Sequence, residues 1–330
     1  MRTMTDTTLS LSDLPADRAA ALRGMRFSDD MFRRLTFASA MLVLLLLAGV
    51  MLSLFFGAFE ALRTFGFSFF TSDSWNPGKE RFGAGAAIYG TLLTSLIALL
   101  IAAPVGLGIA IFLTELCPLP LRRPISIAVE LLAGIPSIIY GIWGAYYFNP
   151  VMQTTLQPAL INTLGNLPFV GPFFGGPALG YSTLSAGLIL AIMVLPFITS
   201  ISRDVFDTVP AVLKEAAYGI GATTWEVVRN VVVPYTRVGV IGGVMLALGR
   251  ALGETMAVTF VIGNATKIQT SILAQGTTIS AMIANQFAEA EPGLFTSSLL
   301  ALGLILFAIT FVVLSAARLL LMRLDRKKGV

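Results

Sequence analysis

Histidine is absent from the 330-residue sequence. That removes Ser-His-Asp triads, HExxH zinc sites and imidazole proton shuttles together. The single cysteine, Cys117, allows neither an internal disulfide nor a thiolate cluster, and no metal site is expected. Charge is scarce as well: 12% of residues are Asp, Glu, Lys or Arg, against about 25% in soluble domains. No GxxxxGK[ST] phosphate loop occurs; the nearest string, Pro77-Gly78-Lys79-Glu80, lacks the rest of the motif. The chain is therefore expected to bind no cofactor, and any ATP it depends on is used by a partner.

What is present is apolar. Hydrophobic residues make up 56% of the chain, and the mean hydropathy is +0.83. So much apolar surface cannot hide in one core, and the bilayer must be its solvent. The formal charge of +4 is no nucleic-acid signature, because the basic residues cluster at the ends of apolar runs. No nucleic-acid partner is expected. The first thirty residues are polar and lack the apolar core of a secretory signal. A short helix around Ala19 to Leu22 is expected in this arm, without an assigned function.

A spanning helix needs about 20 mostly apolar residues. Six stretches qualify: about 35–59, 86–113, 125–148, 180–201, 238–262 and 296–317. The first, with Leu42 through Leu47, reads as a lipid-facing helix. With the N-terminus inside, 17 of the 22 Lys and Arg residues fall on the inner side. Only Arg63, Lys79, Arg81 and Lys267 fall outside, and Arg250 lies within a span. The asymmetry predicts that both termini are cytoplasmic. Two outer loops are long. Residues 149–179 carry no charge and include Pro150, Pro158, Pro168, Pro172 and Pro177; residues 263–295 include Lys267, Glu289 and Glu291. No internal repeat supports an inverted-repeat secondary transporter.

The connection from Ser202 to Arg237 predicts a helix–turn–helix on the inner surface. Thr208 is the expected N-cap, and Pro210 suits a first turn. Val212, Leu213, Ala216, Ala217 and Ile220 form one apolar face, and Gly221 supplies the positive φ that ends the helix. A second helix, about Thr224 to Val232, is expected to stop at Pro234. An amphipathic connector lying on lipid headgroups would share this pattern.

Charges inside the membrane are the other signal. An Arg or acid at mid-bilayer costs about 2.5–3.5 kcal/mol on insertion scales. Arg250 and Glu254, spaced i, i+4, are expected on one helix face, continuing a stripe from Gly239 and Gly243. In span three, Glu130, Gly134, Ser137, Gly141 and Gly144 are expected to form a continuous stripe, with Pro136 kinking the helix and freeing a carbonyl. Pro104 and Pro196 mark similar breaks in spans two and four. Two readings stay open: a structural Arg250–Glu254 ion pair with Glu130 paired elsewhere or protonated, or a transient anion site at Arg250 with Glu254 holding its guanidinium.

Residues 215–234 carry Glu215-Ala216-Ala217, Gly221 and Val231-Val232-Val233-Pro234. This string resembles the EAA loop of the membrane subunits of ATP-binding-cassette importers, with Val231 and Val233 in place of the usual Ile and Leu. The stretches Glu130 through Ser137 and Gly249 through Asn264 look like the PstC-type permease of the phosphate-specific ABC importer. So do Tyr89-Gly90-Thr91, Leu113 through Leu116 and Ala288 through Glu291. The resemblance covers about residues 30–325. It implies an all-α membrane protein with six transmembrane helices and the type I ABC importer permease fold, resident in the bacterial inner membrane. It also implies a sister permease subunit, a paired ATPase and an extracytoplasmic phosphate-binding protein, with membrane lipid around the spans. Glu215, Ala216, Ala217 and Gly221 would couple to the ATPase, while Arg250, Glu254 and Glu130 would lie on the substrate pathway.

The expected organisation is a cytoplasmic arm over 1–30, a permease domain over 31–325 containing the coupling loop at about 203–237, and a basic cytoplasmic tail over 326–330. The chain itself is expected to perform no covalent chemistry. The alternatives are a permease for another oxyanion such as sulfate or molybdate, or the sister phosphate subunit; more remote are a secondary transporter or a channel.

Overall fold

A computed structural model describes residues 16–326. Residues 1–15 and the tail from 327 lie outside the described residues, so the expectations for them have no structural counterpart. The chain divides into two compact units, 1–56 and 57–330. The described part of the first is helix α1, Ala16–Phe65, which continues into the second. No break at residue 30 separates an arm from the first span, and the short helix expected at Ala19 to Leu22 is part of α1. Along this unit the run Leu42 through Leu47 is exposed, as a side chain solvated by lipid should be.

The second unit is helical throughout its regular structure. Its main elements are α2 (Gly85–Leu116), α3 (Leu119–Ala133), α4 (Ser137–Leu164), α5 (Thr183–Asp207), α6 (Ala211–Gly219), α7 (Thr224–Leu252), α8 (Met256–Val261), α9 (Ile279–Gln286) and α10 (Leu294–Arg326). Helices α1, α2, α5, α7 and α10 are each long and apolar enough to cross a bilayer, and α3 with α4, bent by 86°, pass the same test as a pair. Counted as one broken span, that pair brings the candidate crossings among the described residues to six.

The break has a local cause. Pro136 cannot donate to the carbonyl of Leu132, and its ring excludes that carbonyl from helical geometry. The residue before it is pushed toward extended backbone. Helix α3 therefore ends at Ala133, and α4 begins at Ser137 with Pro136 as its cap. The Tyr140 hydroxyl donates to the Leu132 carbonyl at 3.0 Å. The freed carbonyl was expected, but its partner was not. The stripe expected to run from Glu130 to Gly144 is split by this bend, so Glu130 does not share a face with Gly141 and Gly144.

Pro104 and Pro196, where breaks were expected, lie inside continuous helices, whereas α2 stops at Leu116 just before Pro118. Four π-helical turns occupy Phe112–Leu116, Gly144–Phe148, Met152–Leu156 and Val228–Val232. Each lies two residues before a proline: Pro118, Pro150, Pro158 and Pro234. In each, the N–H of the residue preceding the proline reaches back five residues instead of four. The wider turn moves backbone away from the ring, which relieves the clash that breaks an ordinary helix. Helix α4 consequently runs on to Leu164 through what was expected to be a loop, and α7 passes through Pro234 without stopping.

Helix association in lipid depends on close packing more than on water exclusion, so small residues mark the contacts. Helix α5 is the central element, packed against α2, α3, α4, α7 and α8. On α7, a Cβ at Gly239 would press into Val205 and one at Gly243 into Ile201. The glycine stripe expected on this helix is real, and it faces α5. The core here joins Ala98, Ala102, Ile189, Leu190, Val194, Ile198, Ala247, Ala251 and Val258. A second cluster gathers Phe69, Trp75, Phe82, Ile279, Met282, Leu299 and Leu302. In it the Trp75 indole donates to Gln286 Oε1 at 2.6 Å. The long loop 263–295 is likewise ordered. It contains α9, and Leu273, Thr277 and Thr278 within it are buried.

Candidate functional site: a docking helix and an arginine at a helix break

Helix α6 carries the Glu-Ala-Ala string. It begins after Pro210, which occupies the N-cap position without a side-chain cap bond. The expected capping role of Thr208 is not observed. Its hydroxyl donates to the Val205 carbonyl at 2.7 Å, and it closes α5. At the other end Gly221 adopts φ +88°. The Ala222 N–H bonds the Ala217 carbonyl at 3.1 Å, and the Gly221 N–H bonds that of Tyr218 at 2.9 Å. This is the Schellman closure, which needs a residue tolerant of positive φ. Thr223 and Glu226 then form a capping box that starts α7. The sequence signal, Thr-x-x-Glu at 223–226, was available and went unread.

Glu215 and Ala216 are exposed, whereas Ala217 is half-buried against a cluster of Ala110, Phe206, Val209, Val227 and Val232. Among the described residues Glu215 forms no ion pair. Beside it, Ile220 is 88% and Trp225 66% exposed. Lys214, next in sequence to Glu215, points the other way. Its Nζ lies 2.6 Å from Glu115 Oε1, with side chains only 19% and 6% exposed. Glu115 sits in the π turn that ends α2, so this buried pair fastens α6 to that span. Two further pairs bind α5 to α3: Arg122 to Asp207 at 2.5 Å, and Arg203 to Glu130 at 2.7 Å. These are more exposed, where an ion pair contributes about 0–1 kcal/mol. The opposite charges at 115 and 214 carry no spacing that would have revealed their meeting.

Arg250 occupies the last turn of α7. The helix ends at Leu252, and Gly253 takes the cap position. Glu254 therefore lies beyond the helix, and i, i+4 spacing no longer puts it on the face of Arg250. Its Oε1 accepts the Ala257 N–H at 3.3 Å, at the start of α8. The expected Arg250–Glu254 ion pair is not formed. Instead the Arg250 Cζ lies over the ring of Phe197 on α5, 4.7 Å from its centroid. The Arg250 Nε is buried without a hydrogen-bond partner, and among the described residues the guanidinium forms no ion pair. Arg237, midway along α7, also has a buried, unpartnered Nε. Glu130 is not brought to Arg250. It is held by Arg203, six residues beyond Phe197 on α5, about 9 Å along the axis and on another face.

Residues 106–326 match the family described as binding-protein-dependent transport system inner membrane component. The chain belongs to that family. Within it, the permease is 63% identical over 320 residues to the phosphate transport system permease protein PstC of Mesorhizobium japonicum, covering 97% of this chain and 98% of the relative. It is 56% identical over 299 residues to the PstC protein of Pasteurella multocida, covering 91% and 93%. It is thus a PstC-type permease. The fold is shared with a chain of a bacterial alginate ABC transporter, at 17% identity and TM-score 0.58, over 88% of this chain and 95% of that one. A chain of the MetNI methionine ABC transporter in an inward-facing conformation matches at 16% identity and TM-score 0.54, over 72% and 94%. The permease is a multi-pass inner-membrane protein that works with an ATPase and a binding protein.

Proposed function

We propose that this permease forms half of the translocation pathway of an ATP-driven phosphate importer. Its partners are a sister permease subunit, an ATP-binding-cassette ATPase dimer and an extracytoplasmic phosphate-binding protein, with lipid around the spans. The chain binds no cofactor, and ATP is used by the partner. Both termini lie in the cytoplasm, which the distribution of Lys and Arg supports. The inner side then holds residues 1–30, the coupling loop at about 203–237 and the tail after 325.

One observation carries the substrate reading: Arg250 is half-buried, its Nε buried without a hydrogen-bond partner, and among the described residues no carboxylate sits on its guanidinium. Such a group is short of partners, and a passing oxyanion matches its planar donor fork. Glu254, engaged with the α8 backbone, keeps the helix break at Gly253 open beside Arg250. Glu130, engaged with Arg203, lines the pathway as a neutralised pair. The binding protein delivers phosphate from outside as ATP closes the two ATPase subunits. Helix α6 docks on the ATPase through Glu215 and Ala216, with Ala217 and Gly221 fixing its packing and its turn, and moves with it. Hydrolysis then returns the cavity to the inward state.

The test is Arg250→Gln in the complete complex. A charge-assisted hydrogen bond contributes about 1.5–3 kcal/mol, so labelled phosphate uptake should fall about 10- to 100-fold while the subunits still co-purify. Normal uptake would reject the reading.

A further inference from the structure

Arg250 raises a question that the proposed anion site does not answer: what holds a charged group ready, in an apolar setting, without using up its charge. Three kinds of neighbour can stabilise a guanidinium. A carboxylate neutralises it, a carbonyl or hydroxyl occupies its N–H donors, and an aromatic face does neither. The first two are missing here. Glu254 is committed to Ala257, and no hydrogen bond to the guanidinium is found among the described residues. The Phe197 ring, 4.7 Å away, is well inside the roughly 6 Å reach of a cation–π contact.

The ring is placed by the way α5 and α7 meet. Val205 and Ile201 receive Gly239 and Gly243, and Phe197 is one further turn along the same α5 face. The helices approach closely because those two positions lack side chains, and this carries the ring under the guanidinium. Phe197 is itself pinned, with Pro196 and Ile198 on either side both buried.

Resting on the proposed role of Arg250, the geometry points to Phe197 as its positioning residue. The aromatic face holds the guanidinium in place while leaving its full charge and its donors for an oxyanion. A neutral holder also lets the anion go: once phosphate departs, Arg250 returns to the ring and not to a competing carboxylate. Substituting an acid here should therefore do harm by giving Arg250 a better partner.

The test replaces Phe197 in the complete importer with mono-, di- and trifluorophenylalanine, which keep the ring's shape and drain its negative face. Maximal phosphate uptake at saturating loaded binding protein should fall with each fluorine, reaching about tenfold at the third, while subunit yield and ATP hydrolysis stay constant. Phe197→Tyr should remain within about twofold of the parent. Phe197→Glu should abolish uptake in an assembled complex. Uptake that is flat across the fluorine series overturns the inference, because packing alone would not register fluorine. Arg250→Gln, measured beside it, separates the two layers. If that variant is impaired and the series is flat, only the role of Phe197 fails; if it transports normally, the anion site fails as well.

Discussion

Lys214 and Arg250 are both half-buried cations, and the fold treats them in opposite ways. Lys214 meets Glu115 at 2.6 Å in an almost closed environment. Among the described residues Arg250 meets no carboxylate, and its guanidinium lies against the face of Phe197. A buried pair is complete in itself: it fixes where two segments sit and has nothing left to offer a ligand. An arginine over an aromatic ring is held but unsatisfied. The same contrast divides two neighbours in sequence, since Lys214 turns inward to its acid while Glu215 stands exposed and bare on α6. On the proposed function, the paired charges join elements, whereas Arg250 and Glu215 are left to meet a ligand and a partner subunit.

The sharpest way to break this comparison is Lys214→Met. It strands the Glu115 carboxylate in a buried site, a change that costs about 3–5 kcal/mol. Thermal unfolding of the purified complex should show it, and Lys214→Met combined with Glu115→Leu should recover most of the loss. If Lys214→Met is stable but inactive, Lys214 belongs with the functional charges instead. Glu215→Lys is next in size. Reversing an exposed docking charge should weaken ATPase association by about 2 kcal/mol, roughly thirtyfold, with no change in the stability of the permease itself. Normal co-purification of the ATPase would remove Glu215 from the docking surface. Tyr140→Phe is the smallest. It takes the hydroxyl from the Leu132 carbonyl and should cost about 1 kcal/mol, read as a modest drop in melting temperature with transport preserved.

Much of the architecture was legible because lipid imposes simple rules. Long apolar runs had to be helices, and Gly239 and Gly243 had to face another one. Gly221 had to adopt positive φ if α6 was to turn back. Proline was misread most often. Pro150 and Pro158 were read as part of a loop and Pro234 as a helix stop, yet a π turn two residues earlier accommodates each of them, and no feature of composition signals that turn. Pro136 lacks such a turn and does break its helix. At the candidate site, Arg250 was visible as a costly intramembrane charge, but its neighbour was not. The i, i+4 rule assigned it to Glu254 on the assumption of an unbroken helix, and Gly253 ends the helix between them. Phe197, Glu115 and Arg203 reach their partners only through the packing of α5 and the end of α2, separations in sequence that no periodicity encodes.

The π turn before Pro234 has a mechanical consequence. Because it lets α7 continue, a single rod of 29 residues, about 43 Å long, carries the Thr223–Glu226 cap at one end and Arg250 at the other. Each degree of tilt about one end displaces the far end by about 0.75 Å. A few degrees of swing imposed beside α6 would thus be enough to slide a guanidinium off a ring.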